Sequence, residues 1–450
     1  MKKRVAIAGA TGFIGKWFID KYHEVYDIIA LSRGEVSDSQ YPSVEWRKSD
    51  LYSLSSTTEA LKGADYALYL VHSMNPSTRM NQSSFENTDL LLADNFARSA
   101  EACGLQQILF IGGILPKETK EYSKHLKSRY ETEKTLASRS VPLTAIRAGI
   151  VVGPGGSSFR VVEQLVKRLP IMACPKWCKS PSEPVDIQDM LLFIEKSLGN
   201  QDVYGQAIEV AGSEVTSYME MLKITSQKLN KKRLIFSIPF FTLGFSKLWV
   251  ALFSGTSYVF VSPLIDSLRH DMRADESQPF HWRGKVKIEE SINAALHESH
   301  PSIQRSYEAE EERNTVRSVQ RLSNPYNKPA GLIADLYPKW LDRYFKFILT
   351  AKKEGNIVRF HLFNLVLLEL TYMPNRSDEN RKLFFITGGV LCKRSDMGWL
   401  EFRSVMDNQH IISAIHRFVP ALPWLIYKYT QAVGHLFIMN QFNRYLKRAS

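Results

Sequence analysis

The stretch VAIAGATGFIG, Val5 to Gly15, constrains the fold of this chain more than any other. An apolar, β-branched run leads directly into Gly9, Gly12 and Gly15, and a helical pattern follows. Residues without a Cβ let the chain turn tightly and bring backbone N–H groups against a pyrophosphate, whose charge the N-terminus of the next helix favours. The glycine spacing alone is weak, but its place after a first strand and before a helix makes it a dinucleotide fingerprint, with a purely structural turn as the alternative. Met-Lys-Lys-Arg ahead of the run would suit a secretory leader. Three glycines interrupt the apolar stretch, however, Lys16 and Asp20 follow it, and no small-residue cleavage site appears. The turn predicts Gly9, Thr11, Gly12, Phe13, Ile14 and Gly15 as cofactor-binding residues.

The rest of the first half agrees with this. RVAIAG, DIIALS, DYALYLV, QILFIG and LTAIRAGIVV read as buried strands, separated by helical patterns such as SFENTDLLLADNFARSAEACG. Alternation of this kind predicts an α/β fold with a doubly wound parallel sheet. The second strand runs out at Ser32 and Arg33, where a carboxylate would select NAD through the ribose hydroxyl. A guanidinium there can instead pair with a 2′-phosphate, so the cofactor predicted is NADP, with NAD possible. Asp50 and Leu51 after the third strand, and Leu70, Val71 and His72 after the fourth, fall where adenine and the nearer ribose would be touched.

Composition narrows the remaining classes. At 450 residues and 44% hydrophobic content, the chain is long enough for two cored domains. Its four cysteines are too few and scattered for a disulfide framework, which fits a reducing cytoplasm. Cys174 and Cys178 lack a second ligand pair, so no metal is predicted. The net charge of +12 suits an anionic partner, yet no RNP-like, zinc-finger or helix-turn-helix signature accompanies it, and nucleic acid is not predicted as a partner. Leu248 to Ile265 carries no charge. Gly255, Pro263 and several hydroxyls make it a poor membrane span; it reads as apolar helices packed in a soluble domain, or as a peripheral membrane contact.

The first half resembles the extended and atypical short-chain dehydrogenase/reductases, especially the NmrA-like branch and the accessory Rossmann subunit of respiratory complex I. Besides the glycine turn, the resemblance rests on IRAGIVVGPGGSSF (Arg147 to Phe159), EPVDIQDM (Glu183 to Met190) and AIEVAGSEVTSYMEM, and it covers residues 1–297. It implies a Tyr-x-x-x-Lys pair on one helix face, in which lysine lowers the tyrosine pKa for proton exchange during hydride transfer. Tyr130 and Lys134 have that spacing. The register of Glu133, Leu136 and Arg147 instead places His125 at the tyrosine position and Arg129 at the lysine position, with Gly112 and Gly113 where a Ser or Thr is expected. His125, Arg129, Tyr130 and Lys134 are all candidates for catalysis, beside the reading that they are ordinary polar helix positions.

Residues 298–315 read as a linker, running into a charge-rich and then Asn/Pro-punctuated stretch that starts at Glu308. Beyond them, VRSVQRLSNP, LFFITGGVLCKRSDMGWLEFR and FVPALPWLIYKYTQAVGHLFIM make residues 316–450 similar to helix-grip (START/SRPBCC-like) modules, an antiparallel sheet curled round a long helix. From Trp424 to Lys447, the residues Leu425, Tyr429, Val433, Leu436 and Met439 form an apolar stripe at helical spacing, predicted to face the sheet. The resemblances together imply an NAD(P)-binding protein that reduces or epimerises a hydrophobic, lipid-like molecule near the inner membrane surface, or a non-catalytic sensor or scaffold with the same cofactor.

Overall fold

The computed structural model describes residues 2–36, 40–73, 80–118, 121–238, 243–255, 257–268, 270–303, 315–346, 348–395 and 397–448. The chain divides into two compact units. One is Met1–Asn75 with Asn95–Tyr307; the other is Pro76–Asp94 with Glu308–Ser450. The sequence predicts one cut at 298–315, of which 304–314 lie outside the described residues. It gave no hint that 76–94 belongs with the C-terminal half.

The first unit is built on eight parallel strands. β1 (Arg4–Ala8), β2 (Asp27–Ser32), β3 (Glu45–Lys48), β4 (Tyr66–Tyr69), β6 (Gln107–Gly113) and β7 (Leu143–Ala148) are followed by Ala207–Ala211 and His281–Arg283, with β5 (Met80–Ser83) left for the second unit. Their order is β3-β2-β1-β4-β6-β7, then Ala207–Ala211 and His281–Arg283. Val5, Ala6, Ile7 and Ala8 are buried without alternation, as expected for a strand covered on both faces. The helix Phe13–Tyr22 lays Phe18, Ile19 and Tyr22 on this sheet, each burial worth about 1.5–3 kcal/mol before entropy is counted. Strand order reverses at β1, between β2 and β4, and in open α/β sheets the ligand crevice lies at this switch point, beyond the carboxyl ends of the strands.

A smaller lobe of the same unit carries its own core of Phe159, Val162, Val166, Met172, Met221 and Ile292 around the parallel ribbon Ile171–Pro175 and Leu234–Ile238. The uncharged stretch becomes two helices, Leu243–Ser254 and Tyr258–Leu268, which put Val250, Val261 and Ile265 into that core. Thr256 between them lies outside the described residues. Among the described residues, no helix is long and apolar enough to cross a membrane.

The second unit has an eight-stranded sheet of Leu349–Glu354, Ile357–Leu362, Leu365–Tyr372, Arg381–Gly388, Trp399–Val405, His410–Phe418, Val316–Ser323 and β5. All neighbours are antiparallel except β5, which runs parallel to Val316–Ser323 from Met80↔Val316 to Ser83↔Val319. Val319 N donates to Ser83 Oγ at 2.7 Å and fixes that register. The helices Ala330–Phe345 and Gln431–Arg448 lie on the sheet through Trp340, Tyr337 and Phe442, whose ring centroids are 5.0–6.2 Å apart.

The C-terminal helical segment departs from its predicted face. It breaks at Thr430, between helices Trp424–Tyr429 and Gln431–Arg448. Leu425, Tyr429 and Val433 are 75%, 68% and 54% exposed, while Tyr427, Ala432, Met439, Phe442 and Leu446 face the core. The break rotates the two pieces, so one continuous 3.6-residue stripe does not describe them. Of the predicted stripe, Met439 alone is buried.

A buried charge cluster sits inside the second unit. Glu401, wholly buried, accepts from Arg381 Nε at 2.6 Å and from Arg403 Nη2 at 3.0 Å, and His416 Nε2 lies 3.2 Å away. Arg403 Nη1 also donates to Asp94 at 2.8 Å. Burial pushes the Glu401 carboxyl up, but the Arg403 and Arg381 guanidiniums outweigh this and hold it well below the usual range.

Candidate functional site

The predicted cofactor residues gather at the crevice. Gly9 follows β1 with φ +92°, and a Cβ there would stand 3.1 Å from the backbone of Leu70. Gly12 N donates to Gly9 O at 2.9 Å, closing the turn. A Cβ on Gly15 would stand 2.5 Å from Gly9 O and 2.8 Å from Ala10, so this position is closed to any other residue without backbone movement. Gly12 caps the helix Phe13–Tyr22 with no side-chain acceptor, and the first turn carries no acidic residue. The helix therefore presents its positive end to the crevice with no anion of its own. The Phe13 ring packs against Gly153 and Gly156, and Trp17 Nε1 donates to Pro154 O at 3.0 Å, which fixes that end of the helix.

Arg33 stands directly after β2. Beside it, the hydroxyls of Ser32 and Ser49 are buried and have no hydrogen-bond partner, although Ser49 N donates to Ser32 O at 2.8 Å and holds the two residues together. Two unsatisfied buried donors next to a guanidinium suit a phosphate. Ser49 was missed in the sequence, because nothing in the spacing links it to Ser32 until β2 and β3 pair. Asp50 accepts from Tyr52 N at 3.2 Å, and Leu51 O accepts from Asn95 Nδ2 at 2.8 Å, which shapes the neighbouring wall. Leu70 N extends β4 by donating to Ala8 O at 2.9 Å. The residues present fit a dinucleotide.

The four catalytic candidates separate. His125 stands in the first turn of the helix Lys124–Leu136, capped by Ser123, whose Oγ accepts from Leu126 N at 3.2 Å. Its ring lies 5.2 Å from that of His72, and its Nδ1 lies 3.4 Å from Ser267 Oγ. Ser267 and Ser123 hydroxyls are 2.7 Å apart, and Ser267 also donates to Pro263 O at 3.1 Å. Arg129 is buried over the Phe110 ring and donates to Val71 O at 3.0 Å and to Ile111 O, tying the ends of β4 and β6 together. Tyr130 packs edge-on to Tyr122 at 6.0 Å, with Lys134 Nζ 5.4 Å from the Tyr130 ring centroid. Glu133 is paired with Arg147 at 2.7 Å. Gly112 and Gly113 end β6, and a Cβ on Gly113 would stand 2.8 Å from Leu126, so no hydroxyl side chain fits there without movement.

A cavity of about 400 Å³ opens beside His125. His72, Gly113 and His125 form one end, and Met172, Trp177, Tyr218, Trp249, Val261, Ile265 and Met272 line much of the rest. No Asp, Glu, Lys or Arg is among its described lining residues. Tyr130 and Lys134 are not part of the wall; His125 is. Cys174 and Cys178 also line it as free thiols, and a hydrogen bond between them lowers Cys174 while it raises Cys178. Ser267 was invisible to sequence reasoning, since it reaches His125 across 142 positions.

The auxiliary protein GraX of Staphylococcus aureus is 26% identical over 114 residues, 25% of this chain and 37% of that protein. The chain thus spans about a third of the curated relative it matches. Among solved structures, a nucleoside-diphosphate-sugar epimerase from Staphylococcus aureus is similar at 13% identity and TM-score 0.49, covering 67% of this chain and 97% of that one. The triphenylmethane reductase of Citrobacter sp., complexed with NADP(H), is similar at 18% identity and TM-score 0.49, covering 65% and 100%. Residues 5–168, which hold the glycine turn, the crevice and His125, match the NAD dependent epimerase/dehydratase family.

Proposed function

We propose that the chain binds NADP(H) in the crevice and reduces a carbonyl of a hydrophobic molecule held in the adjoining cavity. The observation that carries this reading is the cavity itself, an apolar space with no Asp, Glu, Lys or Arg among its described lining residues and with the imidazoles of His72 and His125 at one end. A sugar nucleotide brings a diphosphate that needs cations or amide clusters to replace its water, and no side-chain cation is among the described residues of this wall. An apolar ketone, aldehyde or quinone needs only burial and one proton donor.

The cofactor, when bound, supplies the hydride. The glycine turn and helix end hold its diphosphate, and Arg33, Ser32 and Ser49 meet the 2′-phosphate. His125 donates the proton to the carbonyl oxygen in place of tyrosine, since imidazole exchanges protons near neutrality. Ser267 and Ser123 orient its ring. Arg129 acts as a positioning residue that keeps the strand ends in register. The second unit, with its sheet and covering helices, is read as a helix-grip module that holds an apolar molecule of its own.

A second reading, a cofactor-binding sensor without turnover, is favoured by one observation: Gly112 and Gly113 leave no hydroxyl where short-chain dehydrogenases place one. NADPH oxidation at 340 nm against a panel of long-chain aldehydes, ketones and quinones separates the two. For the enzyme, His125→Ala lowers kcat by about 10²–10⁴, and Tyr130→Phe leaves it unchanged. For the sensor, NADPH binds and no substrate in the panel accelerates its oxidation.

A further inference from the structure

The second unit contains a cavity of about 400 Å³ of its own, between the sheet and the helices Ala330–Phe345 and Gln431–Arg448. Leu341, Phe360, Leu370, Ile386, Leu400 and Phe418 supply much of an apolar wall, and no Asp, Glu, Lys or Arg is among the described lining residues. Polar atoms collect at one place, where β5 and the start of the last helix bring Gln82, Gln431 and His435 to the lining.

Two of these atoms lack something to bond. Gln82 Nε2 donates to Ala432 O at 3.0 Å, which fixes the orientation of the amide. Gln82 Oε1 then stands buried without a donor, and so does Gln431 Oε1. A buried acceptor left unpaired is costly, so a pair of them on residues that line one cavity marks a place where a ligand donor belongs. Burial lowers the His435 pKa to about 4, which keeps the imidazole neutral in use. Tyr337 and Tyr427, the other titratable lining residues, are raised by burial and stay protonated. Thr430, at the break between the last two helices, is exposed and also lines the cavity, which marks an entrance.

We propose that this cavity binds an uncharged amphiphile, a long apolar chain ending in a hydroxyl that donates to Gln82 Oε1 or Gln431 Oε1, and that it excludes the matching carboxylate. The exclusion follows from the lining: two carbonyl-type oxygens repel an anion, and no cation is among the described lining residues to pair with it. The proposal rests on the reading of the second unit as a module for apolar molecules.

The test is calorimetric titration of the full-length protein, without nucleotide, with 1-dodecanol and with dodecanoate at pH 8, both below their aggregation limits. The expected result is binding of dodecanol at least about a hundredfold tighter than dodecanoate. Gln431→Leu and, separately, Gln82→Leu each weaken dodecanol about tenfold while the melting temperature shows the variants folded. Equal or tighter binding of dodecanoate overturns the proposal but leaves an apolar-ligand module standing. Dodecanol affinity unchanged in both folded variants overturns the assignment of the acceptors. Binding of neither compound overturns the proposal and the module reading together.

Discussion

Gly15 shows how a single missing side chain governs a site. The two contacts that a Cβ would make, to Gly9 O and to Ala10, are with backbone, which cannot rotate out of the way as a long side chain can. Gly15→Val must open the turn, at about 1–3 kcal/mol of stability for the overpacking. Thermal unfolding with and without millimolar NADPH checks the consequence. The nucleotide is expected to stabilise the wild-type protein and not the variant. Arg33 is proposed to meet a single phosphate, so its loss is expected to act differently. Arg33→Ala is expected to weaken NADPH by roughly tenfold to a hundredfold, the worth of hydrogen bonds to a charged group, and to leave NADH unchanged in a fluorescence titration. The glycine turn and the position of Arg33 after β2 were legible in the sequence because both are local to the chain. Ser49 and Ser267 were not, since each matters only through a partner that folding brings to it.

At the scale of elements, buried strands were legible and amphipathic faces less so. β1, β2, β4, β6 and β7 are short runs hidden on both sides, so burial alone writes their sequence. The last helical segment misled because Thr430 breaks it, and Leu425, Tyr429 and Val433 face outward in consequence. β5 was unreadable for another reason. MNQS is polar, and its place beside Val316–Ser323 is set by backbone pairing and by Ser83, not by an apolar face. The strands Arg381–Gly388, Trp399–Val405 and His410–Phe418 carry the Glu401 cluster. Its pairing is worth most when every member is present: Glu401→Leu leaves Arg381 and Arg403 buried without their shared carboxylate, and costs about 3–5 kcal/mol by chemical denaturation. Since the Glu401 pKa is depressed on folding, its contribution is in force above pH 4.5, the ordinary value, and is lost as the pH falls below it. A variant as stable as the wild type would show that the cluster is replaceable by apolar packing.

For the whole molecule, two units carry two cavities without charge among their described linings, one reached by His125 and one by a pair of amide oxygens. The net charge of +12 is therefore not carried by the described residues of these walls, and it bears on an anionic partner such as a dinucleotide rather than on what the cavities hold. The function proposed here depends first on the nucleotide. Isothermal titration of the purified chain with NADPH and with NADH tests that directly. Saturable one-to-one binding, tighter for NADPH, is the expected result. Absence of heat with both nucleotides at millimolar concentration, together with no rise in melting temperature, would contradict it.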